Sequence, residues 1–110
     1  MQENKLLQLL KKKKGLFESF LDLTETESLL SVSEWESVLK QKKVLLSCIE
    51  DIDERLQSFK EGFTEISQEV TNEIDDIKQI VSRILELDSL NYLERKRELR
   101  SYEQRIAQSQ

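Results

Sequence analysis

Apolar residues recur along this chain in alternating steps of three and four from Trp35 to Leu87. The series is Trp35, Val38, Lys42, Leu45, Ile49, Ile52, Leu56, Phe59, Phe63, Ile66, Val70, Glu73, Ile77, Ile80, Ile84 and Leu87, interrupted only by Lys42 and Glu73. Such a stripe is the face by which helices pack lengthwise on other helices. A second stripe precedes it at the same spacing: Leu6, Leu9, Lys13, Leu16, Phe20, Leu23, Glu27 and Leu30, widened by Leu7, Leu10, Phe17 and Leu21. It predicts a first helix over residues 3–30, weakest at Thr24-Glu25-Thr26-Glu27.

The breaks come from capping chemistry. Ser31-Val32-Ser33 separates the two stripes, and Ser33 followed by Glu36 has the capping-box spacing, so a second helix is expected over 34–60. Gly62 suits the left-handed residue just past a helix end, and Thr64 can cap the next helix, over 64–88. The matched lengths suit an antiparallel hairpin. The rival is one unbroken helix through Gly62, because the heptad phase survives there; that helix would need a partner chain. Asp88-Ser89 starts or kinks a last segment over 90–107, with Leu90, Tyr92, Leu93, Leu99, Tyr102 and Ile106 as its apolar residues. It either continues the third helix or docks as a separate one. The expected fold is all-α, a single domain over 1–110: an antiparallel bundle of three long helices with a C-terminal fourth helix or helical extension. Leu46, Ile74, Val81 and Leu85 lie beside the main heptad and, with Ile77, form a candidate groove for an amphipathic helix from a partner.

Composition narrows this picture. The 110 residues are 37% hydrophobic and 35% charged, with no proline and two glycines, which favours thin bundles of amphipathic helices over strands. No apolar run approaches the ~18 residues of a membrane span, and Lys11 to Lys14 follow the first leucines where a signal peptide would place its charges ahead of them. The single cysteine, Cys48, has no internal disulfide partner; a reduced, cytoplasmic location is the simplest expectation. The net charge of −5 divides into +4 over residues 1–14 (five basic, one acidic), −11 over 15–89 (seven basic, eighteen acidic) and +2 over 90–110 (five basic, three acidic). An acidic middle argues against nucleic acid.

Candidate chemistry is sparse. The chain has no histidine, so the commonest general base and metal ligand is missing. Two isolated glycines make no phosphate loop, and one cysteine makes no zinc site. Enzyme activity, a cofactor and a metal site are therefore not expected. Cys48 reads as a small buried or half-buried core residue. The acidic groups Glu50, Asp51, Asp53, Glu54 and Glu73, Asp75, Asp76 read as solvated faces. Four consecutive lysines spread around a helix and form no single patch, with Lys13 extending its stem past the core edge. In the hairpin, Lys42 and Glu73 are not level with one another, so they are expected at edges with exposed tips.

Residues 16–60 and 84–99 resemble the FliT family of flagellar export chaperones, and more loosely FlgN. The segments that carry the resemblance are the leucine-rich helix ending near Ser28-Leu29-Leu30, Ser33-Glu34-Trp35-Glu36-Ser37-Val38-Leu39, Leu45-Leu46-Ser47-Cys48-Ile49-Glu50-Asp51-Ile52 and Ile84-Leu85-Glu86-Leu87-Asp88-Ser89-Leu90-Asn91. Lys43 stands where the family usually has arginine. The resemblance implies a cytoplasmic chaperone for a late export substrate, a filament-cap or hook-junction protein, delivered to the export gate or its ATPase. It implies that the last helix covers the substrate groove, and that a tyrosine near the C-terminal end docks on the gate; Tyr102 matches by place, with Tyr92 second. A structural coiled-coil subunit, such as a FliJ-like stalk component or a homo-oligomeric adaptor, is the alternative, and a homodimer is open under either reading.

Overall fold

The computed structural model describes residues 2–59 and 67–109, and all its regular elements are helical. Helix α1 spans Gln2–Thr26 and tightens into a 3-10 turn over Glu27–Leu29. Helix α2 spans Val32–Gln57 and α3 spans Gln68–Ser109. Gly62 and Thr64, the expected stop and start signals, lie outside the described residues.

At the connection between α2 and α3, α2 ends at Gln57 and not 60, and α3 starts at Gln68 and not 64, with the Ser67 hydroxyl accepting from the Val70 amide at 3.3 Å. Two further boundaries differ from expectation. The cap of α2 is Ser31, not Ser33: Ser31 has extended backbone and its hydroxyl accepts a hydrogen bond from the Glu34 amide at 3.5 Å. Both serines stand three residues before a glutamate. The earlier one wins because Leu30 is already extended, its amide donating back to the Glu27 carbonyl, so the chain turns there and the helix gains two residues. At the other boundary, Asp88-Ser89 is no break. The third helix and the last segment form one helix of 42 residues. No glycine or proline follows Gly62, and Asp88 and Asn91 are both held by partners on other helices.

Helix α1 is the centre of the bundle. Its backbone packs closely on both α2 and α3, whereas the backbones of α2 and α3 stay apart along most of their described length. The hairpin is therefore clasped around the first helix. Direction follows from paired residues. Leu10 packs on Val70 and Ile77 while Asn91 reaches Thr24, so α1 and α3 are parallel. Lys13 meets Asp53 and Glu27 meets Lys42, so α1 and α2 are antiparallel.

Leu10, Val70 and Ile77 form the core at the N-terminal end of α1, with Leu6, Leu7, Phe17, Leu56, Ile74 and Val81 packed against them. Phe20, Val38, Ile49, Ile52 and Ile84 are buried further along. Each such side chain contributes about 1.5–3 kcal/mol of transfer free energy. Because α1 has two neighbours, it buries a wide band: Leu10 and Thr24 are buried although the heptad reading centred on Leu9 and Leu23. Thr24 is accommodated because its hydroxyl donates to the Phe20 carbonyl one turn back, at 2.9 Å. Cys48 is exposed, contrary to the core role expected; its neighbour Ile49 takes the inward position.

The particle measures 69 × 21 × 20 Å. At a rise of 1.5 Å per residue α3 alone is about 63 Å long, so this helix sets the long dimension.

Replacing Ile77 by alanine is expected to cost about 2–5 kcal/mol in urea unfolding, whereas Leu85→Ala, on the exposed side of the same helix, should stay within about 0.5 kcal/mol. Gly15 sits inside α1 with open space where a Cβ would lie. Gly15→Ala is therefore expected to stabilise the fold by about 0.5–1 kcal/mol by the same measurement.

Candidate functional site

Where the three helices meet near the α1–α2 turn, the core changes from apolar to ionic. Glu27 and Lys42, both polar interruptions of their stripes, are only 5% and 7% exposed and form a direct ion pair. The same Glu27 carboxylate accepts from the Asn91 side-chain amide at 3.3 Å and lies 3.5 Å from Arg95. Asn91 also donates to the Thr24 carbonyl at 3.3 Å. Lys42 lies 3.5 Å from Asp88 and 4.8 Å from the centre of the Phe20 ring. Arg95 stacks on the ring of Trp35, whose indole nitrogen is buried without a hydrogen-bond partner. Two positive and two negative groups thus gather within about two helical turns and tie α1, α2 and α3 together.

This corrects the expectation for Lys42, which is buried and not an edge residue. The hairpin geometry did place it away from Glu73. The partner of Glu73 is Lys14, at 2.8 Å, which also reaches Asp76 at 3.4 Å. Lys13 pairs with Asp53, so the last two of the four lysines bind helix to helix while Lys11 and Lys12 stay in solvent. The Glu73 carboxylate beside it, with a smaller influence from Asp76, raises the Lys14 pKa above its ordinary 10.5.

A second feature is the seam between α2 and α3. Lys42–Asp88 and the Trp35–Arg95 stack fix their antiparallel register. Helical spacing then places Leu39 and Leu46, one turn to either side of Lys42, opposite Leu85 and Tyr92, which flank Asp88 in the same way. All four are exposed, and Leu85 is 61% so. Of the expected groove residues, Leu46 and Leu85 stand open on this seam. Ile74 and Val81 are half-buried, packed against the core. Ile77 is buried in that core, so it is not a groove residue: it lies on the α1-facing side of α3 and meets Leu10.

Of the C-terminal residues expected to cover the groove, Leu90, Tyr92, Leu93, Leu99 and Ile106 are exposed. Tyr102 lies within α3, and its side chain falls outside the described residues. Because α3 runs on in a straight line, residues 96–109 project past the end of α1 and α2 and do not fold back over the seam. Beside this projecting arm is an open groove of about 670 Å³, lined by Leu30, Trp35, Arg95, Glu98, Leu99 and Arg105, among others. Sequence reasoning missed this groove, although the resemblance already drew on Trp35 and the capping argument on Ser31 to Ser33.

Among the described residues no three His, Cys, Asp or Glu side chains gather in a way that could hold a metal ion, and no helix is long and apolar enough to cross a membrane. The class the fold and these surfaces define is an all-α bundle with an ionic junction, an apolar seam and a projecting helical arm. No protein-family model matches the chain, and no curated protein or solved structure does.

Removing one side of the buried pair leaves the other charge uncompensated. Glu27→Ala is expected to destabilise the fold by about 3–5 kcal/mol in urea unfolding, and Glu27→Leu combined with Lys42→Met should recover most of that loss. For Lys14 the sign runs to alkaline pH: with a raised pKa in the folded state, its stabilisation is present below 10.5 and is lost as the pH rises past the folded-state value. The stability difference between the wild type and Lys14→Met should therefore shrink in urea melts on the alkaline side.

Proposed function

We propose that this chain is a protein-binding helical module, and that within this class it acts as an export chaperone of the FliT kind. It would hold a helical segment of a filament-cap or hook-junction protein and deliver it to the export apparatus. The observation that carries the reading is the α2–α3 seam. Two antiparallel helices are held in register by Lys42–Asp88 and Trp35–Arg95 yet present Leu39, Leu46, Leu85 and Tyr92 to solvent. An amphipathic partner helix that lays its apolar positions between these rows would bury surface that α1 does not reach. The missing histidine and phosphate loop support a binding role over an enzymatic one, and the resemblance of the Trp35 and Ile84–Asn91 segments supplies the substrate class. A cytoplasmic location belongs to the same reading.

The unbroken α3 favours a second reading, a structural coiled-coil subunit or adaptor of the FliJ-like kind. A chaperone would bind a single substrate helix reversibly in the seam; a stalk component would not.

Calorimetric titration with the C-terminal helical segment of a filament-cap protein tests the choice. Binding is expected, and Leu46→Asp or Leu85→Asp should weaken it at least tenfold, about 1.4 kcal/mol, with helix content and unfolding unchanged. Full-strength binding to both variants would remove the seam as the site, and no binding by the wild type would favour the structural reading. Gating by the arm predicts that removing residues 96–110 strengthens binding; because the arm does not cover the seam, unchanged affinity is expected.

A further inference from the structure

Between the two apolar layers of the α2–α3 seam lies a charge that the chain only half neutralises. In the register set by Lys42–Asp88, Leu39 and Tyr92 form one layer and Leu46 and Leu85 the other. An open groove of about 480 Å³ on the α3 side of the seam is lined by Leu85, Asp88, Ser89, Tyr92 and Leu93. Asp88 therefore stands between the apolar layers, and its side chain is 44% exposed. Its Oδ1 lies 3.5 Å from Lys42, too long for a good hydrogen bond, and its Oδ2 has no partner among the described residues. Lys42 has little more to give. Its ammonium is in direct contact with Glu27 and rests against Phe20. Glu27 is also served by Asn91 and Arg95, whereas Asp88 has a share of Lys42 alone. Lys43, the next cation along α2, is exposed and forms no ion pair among the described residues.

While the seam is open, solvent reaches Asp88 and the shortfall is harmless. A helix laid across the seam takes that solvent away. Burying a carboxylate that keeps one distant, shared ammonium costs more than the attraction returns. The occupant must therefore bring the missing charge. We propose, resting on the reading of the seam as the docking face, that it takes an amphipathic helix with one basic residue, lysine or arginine, in the layer between two apolar ones, the cation seated on Asp88 Oδ2. The spacing of the wall fixes the pattern. Leu85 and Tyr92 are seven residues apart, with Asp88 three from one and four from the other. A partner helix matches this with apolar anchors seven apart and the basic residue three or four places from each, on the same face. Ser89 beside Asp88 is small enough to admit a long stem, and its hydroxyl can accept a second N–H. The charge balance of −11 over residues 15–89 draws a cation toward this face. Asp88 also sets specificity in the other direction: a helix that is apolar throughout buries the carboxylate without a partner and is rejected.

Fluorescence anisotropy with two labelled model helices of identical composition tests this on the full-length chain. Both carry apolar anchors seven apart on one face. The first has lysine between the anchors and norleucine on its solvent face; the second exchanges the two. Their net charge is equal, so general attraction to an acidic bundle cancels. The chain is expected to bind the first helix about tenfold tighter than the second. Asp88→Asn, with helix content by circular dichroism unchanged, should bring the two affinities within about twofold, and Leu46→Asp should weaken both. The first comparison needs no variant, so it does not depend on how Asp88→Asn folds. Equal binding of the two helices, tighter binding of the second, or a preference that survives Asp88→Asn would overturn the role of Asp88 and leave the seam as a docking face. No binding of either helix, or binding of both that Leu46→Asp leaves untouched, would remove the seam itself and the basic partner with it.

Discussion

A carboxylate and an ammonium group buried against one another fix how the three helices of this protein meet. Glu27 and Lys42 stand at positions where the heptads of α1 and α2 ask for apolar residues. Removing two charges from water costs several kcal/mol per ion, and attraction offsets this only where every remaining lone pair and proton finds a partner. Here the partners are supplied: Asn91 and Arg95 complete Glu27, while Asp88 and the face of Phe20 complete Lys42. Any slip of one helix by a turn would bury an unpaired charge. Hydrophobic stripes tolerate such slips, because one leucine resembles the next. The ionic junction therefore supplies register more than net stability, as buried polar residues do in coiled coils.

The junction also explains the shape of the surfaces. Contact between α2 and α3 runs through long side chains, Lys42 to Asp88 and Arg95 to Trp35, and these hold the two backbones apart. With α1 covering one side only, the opposite side of the seam keeps its leucines in solvent. At the other end of the bundle Leu10, Val70 and Ile77 meet directly and the packing is apolar. One end thus behaves as an ordinary core and the other as a spacer. An apolar seam on a bundle this thin is a feature to be accounted for, since few contacts within the chain remain to bury it.

The sequence was legible where periodicity decides. The all-α class, the three long helices, the break between Leu30 and Val32 and the folding of the hairpin onto α1 all follow from stripes and the scarcity of breakers. It was less legible where two signals compete at one place. Ser31 and Ser33 each begin an equally good capping spacing, and only the extended Leu30 selects between them. Asp88-Ser89 resembles a helix start in isolation, but Asp88 is held by Lys42 and the helix continues. Lys42 was the largest misreading. A lone lysine in a heptad is normally an edge residue, and nothing in its own helix shows that Glu27, fifteen positions earlier, comes to meet it. Of the candidate groove, Leu46 and Leu85 were placed correctly at the surface, while Ile77 was not, because the heptad gives a face without saying which neighbour covers it.

Function in such a chain must be read from what the helices leave uncovered, and the junction makes that remainder a connected system. Lys42 lies between Leu39 and Leu46 in the seam, and Arg95 lies between Glu27 and the arm. A partner helix that entered the seam would pass directly over Lys42–Asp88, shielding that pair from water and strengthening it. Asp88 and Glu27 share Lys42, and Glu27 shares Arg95 with Trp35, so a change in one contact alters the partners available at the next. The residues that set the register of the bundle are therefore also those that border both of its open surfaces. A substitution at Glu27 or Lys42 would act on the seam and on the root of the arm together, whereas one at Leu46 or Leu99 would act on a single surface. That difference in reach separates the residues that build this scaffold from those that would use it.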